Sequence, residues 1–192
     1  MHNFLIIIFS IISVLTGYIL KKVKKQEIIK VAPKYYYLII ISLTIITAVM
    51  PLSLLKKCCI LLTVAPLTYQ MFMDFETFEL SDILSGYLFI IGLAYTLISG
   101  QYNHFGTAFI LTAIYVVMSL LGPMGFGDVK LVVGLGLFLH RYTSLLLYPF
   151  LFAVIGELVT RIFVKKEDSS FAFGPYIILG FYVAVFFLEK TI

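Results

Sequence analysis

Apolar stretches of about 18–20 residues, the length of helix that crosses the hydrocarbon core of a bilayer, recur along nearly the whole chain. Eight can be read, at 3–20, 35–54, 57–74, 83–100, 105–122, 127–140, 143–161 and 171–188. Lipid offers no hydrogen-bond partner to a bare backbone, so each stretch must satisfy its peptide groups internally, as a helix. The predicted fold is therefore all-α, a polytopic membrane helix bundle of about eight transmembrane helices. Composition agrees: the chain is 61% hydrophobic and 12% charged, whereas soluble domains lie near half and a quarter. A removable signal segment would explain one such stretch, not eight. No polar stretch is long enough for a soluble domain, so residues 1–192 read as a single integral-membrane domain. The sixth stretch is short, which predicts a tilted or partly embedded helix. The third contains Pro66, tolerable in lipid where neighbours satisfy the freed carbonyl.

The net charge of +4 would suit nucleic acid, but topology explains it better, and the expected surroundings are lipid. Residues 21–34, KKVKKQEIIKVAPK, carry six lysines, and basic loops stay in the cytoplasm. With that loop inside, the cytoplasmic face carries Lys21, Lys22, Lys24, Lys25, Lys30, Lys34, Lys130, Arg161, Lys165 and Lys166. Lys56, Lys57, Arg141 and Lys190 fall outside, a ratio of ten to four. The same orientation brings Asp74, at the end of the third helix, and Asp128, at the start of the sixth, to the cytoplasmic face. The two cysteines, Cys58 and Cys59, are adjacent. They suit neither a disulfide, which needs a wider backbone separation, nor structural zinc, which takes four ligands in spaced pairs.

Acidic residues number ten, and four of them, Asp74, Glu76, Glu79 and Asp82, sit within nine positions. A carboxylate at mid-membrane costs about 2.5–3.5 kcal/mol, so its placement is informative. Asp128 follows Gly122, Pro123, Gly125 and Gly127, residues that interrupt a helix and let backbones approach closely. This predicts a break at the membrane surface and a helix starting near Asp128, with room for a peptide and for water. Taken singly, each aspartate has a plainer reading, Asp128 as a helix cap and Asp74 as a helix end among headgroups. Glu76, Glu79 and Asp82 also read as a solvated loop. The pairing of Asp74 with Asp128 is what points to chemistry. Two carboxylates can hydrolyse a peptide if they share a proton, one acting as base on water and the other protonating the carbonyl oxygen. Such a pair titrates as a unit.

Three stretches together resemble the type IV prepilin peptidases, GxGD-class aspartyl peptidases that process pilins and pseudopilins. Asp74-Phe-Glu-Thr-Phe-Glu-Leu-Ser-Asp82 is similar to the family's D-x7-D segment, Met124-Gly-Phe-Gly-Asp-Val-Lys-Leu131 to its GxGDxKL motif, and Phe171-Ala-Phe-Gly-Pro-Tyr176 to the FGP motif that opens the last helix. The likeness runs over roughly residues 55–190 in order and spacing. It implies that Asp74 and Asp128 are catalytic and that Gly125 and Gly127 shape the site. Lys130, Asp82, Phe173, Gly174 and Pro175 would support the site or touch substrate, and Glu76, Glu79 and Asp82 would attract a basic leader. The implied substrate is a pilin-like precursor, cut after a glycine at the cytoplasmic face of the plasma membrane, before a hydrophobic helix. No metal or cofactor is implied for cleavage. Many relatives also methylate the new N-terminus with S-adenosylmethionine, and many insert a cysteine-rich zinc domain between the first two helices. The short loop 21–34 has no cysteine, which leaves methylation open, and Ser81 stands where a proline is usual.

A preflagellin-peptidase relative is the nearest alternative. A signal-peptide-peptidase type would carry Tyr-Asp where this chain has Met73-Asp74. A small ion-coupled transporter would show mid-membrane carboxylates and an inverted repeat, and an inactive assembly scaffold is a further alternative. Glu157 reads as structural, and His104 and His140 as headgroup contacts at the outer face. Tyr35, Tyr36 and Tyr37 read as an interfacial aromatic belt.

Overall fold

The apolar stretches fold as helices in a computed structural model that describes residues 2–23, 33–122, 124–163 and 172–188. Most of the lysine-rich loop lies outside the described residues, as do Pro123, Lys165, Lys166, Phe171 and Lys190. In chain order the helices are α1 (His2–Val23), α2 (Pro33–Val49), α3 (Leu54–Thr77), α4 (Asp82–Ser99), α5 (Asn103–Leu121), α6 (Phe126–Gly136), α7 (Tyr142–Phe163) and α8 (Gly174–Val183). A wider turn, Ala184–Leu188, continues α8. No strand occurs among the described residues. Within α1, and over the full lengths of α3, α4 and α5, the described chain is long and apolar enough to cross a membrane, while α2, α7 and α8 supply shorter apolar stretches. The chain thus forms the all-α membrane helix bundle that its hydrophobic pattern predicts.

Two helices make the interior. α3 packs against α1, α2, α4 and α8, and α6 packs against α4, α5 and α8. Around them the outer helices turn large apolar side chains outward, among them Phe4, Ile11, Ile45, Ile90, Phe109 and Leu151, as lipid contact requires. α6 has only 11 residues and rises roughly 16 Å, about half of a hydrocarbon core, in keeping with the short sixth stretch. Glycines let it sit so deep. A methyl on Gly134 would meet the Phe89 nitrogen at 3.0 Å, one on Gly92 the Gly134 carbonyl oxygen at 2.8 Å, and one on Gly136 the Ala108 Cα at 2.8 Å. α4 and α5 therefore grip α6 backbone to backbone, the close approach that small residues allow between membrane helices. Beyond Gly136 the chain tightens into shorter turns. Hydroxyls from neighbouring helices then take up carbonyls: Thr96 Oγ1 donates to Leu137 (3.0 Å) and Thr107 Oγ1 to His140 (3.1 Å).

Three expectations change. α2 ends at Val49 rather than residue 54, because Pro51 interrupts the helix and Ser53 caps α3, its Oγ accepting from the Lys56 amide at 3.4 Å. Tyr36 is not part of an interfacial belt. It is fully buried, packs edge-on against Phe72, and donates from its hydroxyl to the Gly17 carbonyl at 3.3 Å, while Tyr35 stays exposed. His104 does not face headgroups either: it is fully buried, stacked on Tyr95, with its ring centroid 4.4 Å from that of His140. In both cases the amphipathic ring is drawn inward by a partner one helix away.

Gly134→Leu should force α4 and α6 apart and lower the thermal midpoint of the detergent-purified protein by an amount equivalent to about 1–3 kcal/mol. Gly86→Ala and Gly106→Ala, whose new methyls meet nothing within 4 Å, should leave the midpoint equal or higher. If all three variants melt alike, the gripping role of the α6 glycines is wrong.

Candidate active site

Short connections force α3, α4, α5 and α6 to alternate in direction, so one end of the bundle gathers the C-termini of α3 and α5 and the N-termini of α4 and α6. The N-terminus of α8 joins them. Asp74 comes from the last turn of α3 and Asp128 from the first turn of α6. Their residues are only 5% and 6% exposed, and the two carboxyls are close enough to act on each other electrostatically. Neither therefore behaves as a helix end at the headgroups, nor is Asp128 the cap of α6: that position belongs to Gly125.

Each carboxyl is met by backbone. The Gly174 amide, first in α8, donates to Asp74 Oδ2 at 2.9 Å. That amide has no partner within its own helix, and a helix N-terminus favours negative charge. Pro175 in the same first turn suits a start where no amide is needed. A methyl on Gly174 would stand 2.9 Å from Asp74 Oδ2, so a larger residue there would displace the carboxyl. Asp128 lies at the N-terminal end of its own helix, where the Gly125 backbone hydrogen-bonds to it, and its field reaches the buried Tyr115. Two helix N-termini thus converge on two buried carboxyls. Two buried carboxyls at one polar end are the kind of groups that acid–base chemistry on a small polar molecule uses.

Between α3 and α4 runs a four-residue strap, 78–81, fixed at several points. Phe78 closes α3 in a left-handed conformation (φ 56°, ψ 25°), its amide donating to the Asp74 carbonyl at 3.0 Å. It has the one positive φ outside glycine among the described residues. Gln70, fully buried one turn before Asp74, donates from Nε2 to the Ser81 carbonyl (3.1 Å) and Ser85 Oγ (3.0 Å). Across the strap's end, Lys130 Nζ meets Asp82 Oδ1 at 2.7 Å, linking the first residue of α4 to the second turn of α6. This pair is exposed and contributes at most about 1 kcal/mol.

The structure thus brings Asp74, Asp128, Gly125, Gly127, Gly174 and Pro175 to one end, beside the Lys130–Asp82 pair. Phe173 caps α8 and packs on Phe150, a scaffold position. Glu79 is exposed on the strap. Glu76, two residues beyond Asp74 in the same helix, lies on a different flank of α3. His104 and His140 sit at the opposite end of the bundle, and Glu157 lies on α7. Among the described residues no cluster of three or more His, Cys, Asp or Glu is arranged to hold a metal ion. Gln70 and Leu80 are absent from the sequence-based site. For Gln70 the available signal was its spacing of four from Asp74, which shares a helix face. For Leu80 there was none, because its role depends on what lies opposite.

A model of the type IV leader peptidase family matches residues 59–164, which include both aspartates, the strap and α6. The match stops before α8, so the amide that holds Asp74 comes from outside the matched region. No curated protein and no solved structure matches the chain.

Because a phenylalanine in the left-handed region is disfavoured by about 1–2 kcal/mol, Phe78→Gly should raise the thermal midpoint. Phe78→Ile, β-branched at the same angle, should lower it. Equal midpoints for the two variants would remove the strap's strain from the account.

Proposed function

The chain belongs to the type IV leader peptidase family, and from that premise we propose that it is an aspartyl endopeptidase whose catalytic pair is Asp74 and Asp128. The observation that supports this reading is the meeting of two buried carboxyls, 5% and 6% exposed, from α3 and α6 at one end of a membrane bundle. In the proposed reaction one carboxylate takes a proton from water while its oxygen attacks the scissile carbonyl carbon. The other carboxyl gives its proton to the carbonyl oxygen, forming a neutral tetrahedral gem-diol. On collapse a proton passes to the amide nitrogen, the C–N bond breaks, and a carboxylic acid and an amine leave. The water ends divided between the two products and the pair regains its single shared proton. Gly174 and the start of α6 hold the carboxyls in place, and the buried setting strengthens their action on the carbonyl.

The proposed substrate is a pilin-like precursor with a basic leader and a hydrophobic helix, cut after a glycine at the cytoplasmic face of the plasma membrane. Glu79, exposed beside the site, and Glu76 supply negative charge suited to a basic leader, while the charge of Asp82 is offset by Lys130. The lysine-rich loop sets the orientation in this reading. Cleavage requires neither metal nor cofactor. Methylation of the product, where it occurs, would draw on S-adenosylmethionine.

Co-expression with a pilin-like precursor, read by mass spectrometry for cleavage and for added methyl, tests this. Asp74→Asn and Asp128→Asn should each cut the cleavage rate by on the order of 10²–10⁴ while the protein remains folded. Normal processing by either single variant would refute the pair.

A further inference from the structure

Leu80 lies on the strap between α3 and α4 and packs against the main apolar core. Its side chain bridges the starts of two other helices. A methyl placed on Gly127, in α6, would come within 3.1 Å of Leu80 Cβ. One placed on Gly174, in α8, would come within 3.2 Å of Leu80 Cδ2 and 2.9 Å of Asp74 Oδ2. The leucine therefore lies beside the Asp74 carboxyl, and the space that the two share next to Gly174 is too narrow for one more methyl. Nor is it free to swing away. On one side Phe78 anchors the strap to the Asp74 carbonyl, and on the other Gln70 holds the Ser81 carbonyl and Lys130 holds Asp82.

We propose that Leu80 is the specificity-determining wall of the site, limiting the substrate residue on the amino side of the scissile bond to one without a side chain. This rests on the peptidase reading above. To be attacked, the scissile carbonyl carbon must lie between the two carboxyls. The β-carbon of the same residue is two bonds away, about 2.5 Å, and so must share the space beside them. Leu80 bounds that space and offers only methyls, so it selects by volume and not by hydrogen bonding. Glycine fits; alanine would need the leucine, the strap or α8 to move.

The test uses the full-length membrane enzyme and two precursors identical except for Gly or Ala before the cleavage site. The readout is the ratio of their cleavage rates. Wild type should strongly favour glycine. Leu80→Ala should raise the alanine-to-glycine ratio by at least about tenfold, and Leu80→Val by a smaller factor. An unchanged ratio in a variant that still cuts the glycine precursor overturns the proposal, because a merely structural leucine would slow both precursors alike. Loss of glycine cleavage in both variants also overturns it, since a wall that only limits size can be cut back without abolishing the reaction. If wild type cleaves neither precursor, the peptidase reading fails first and this inference falls with it.

Discussion

One hydrogen bond joins residues one hundred positions apart and sets the rest of the site: the Gly174 amide donating to Asp74 Oδ2 at 2.9 Å. It fixes the start of α8 against the end of α3. α8 packs in turn on α6, the helix that carries Asp128, so the separation of the two carboxyls is set through three helices rather than by any loop. A shift of α8 along its axis would break this bond and leave a helix-terminal amide and a buried carboxyl without each other. An orphaned buried group costs roughly 1–3 kcal/mol, and here two would be orphaned together. The arrangement is therefore closer to all-or-none than to graded.

The two carboxyls are not equivalent, and the proposed two-carboxylate chemistry depends on that difference. Asp74 is held by the amide of a foreign helix, Asp128 by the N-terminal end of its own, with Tyr115 inside its field. Different environments let one group keep a proton that the other has lost. Helix N-termini supply this asymmetry without spending further charged side chains, which lipid penalises. The ion pair Lys130–Asp82 is left on the surface, where it can align α4 and α6 without bringing its cation into the interior.

Much of this was legible in the sequence because the constraint was local. Apolar length gave eight helices, and the glycine-broken approach to Asp128 gave an irregular entry to α6. What could not be read depends on partners distant in sequence. The tyrosines at 35–37 look alike, yet only Tyr36 is turned toward Gly17 and Phe72. His104 carries no mark that it would stack on Tyr95. Gly174 was visible as part of a motif, but its role as the hydrogen-bond partner of Asp74 was not. Leu80 looked like any leucine in a loop, since its importance lies in the two glycines it faces.

Those glycines bear on why the polar end of the bundle is assembled from α6 and α8. α6 is too short to span lipid and is clasped by α4 and α5 through Gly92, Gly134, Gly136 and Ala108. Such a helix cannot shift along its axis without driving a backbone into a neighbour. At its other end Gly127 leaves a space that Leu80 fills, and Gly174 does the same on α8. Glycine therefore acts in two opposed ways along one short element. Deep in the bundle it removes a side chain so that helices lock, and at the polar end it removes one so that a residue of the strap can lie beside the Asp74 carboxyl. Tight packing at the first place holds the second in register, and a fixed width there is what the proposed selection by volume requires.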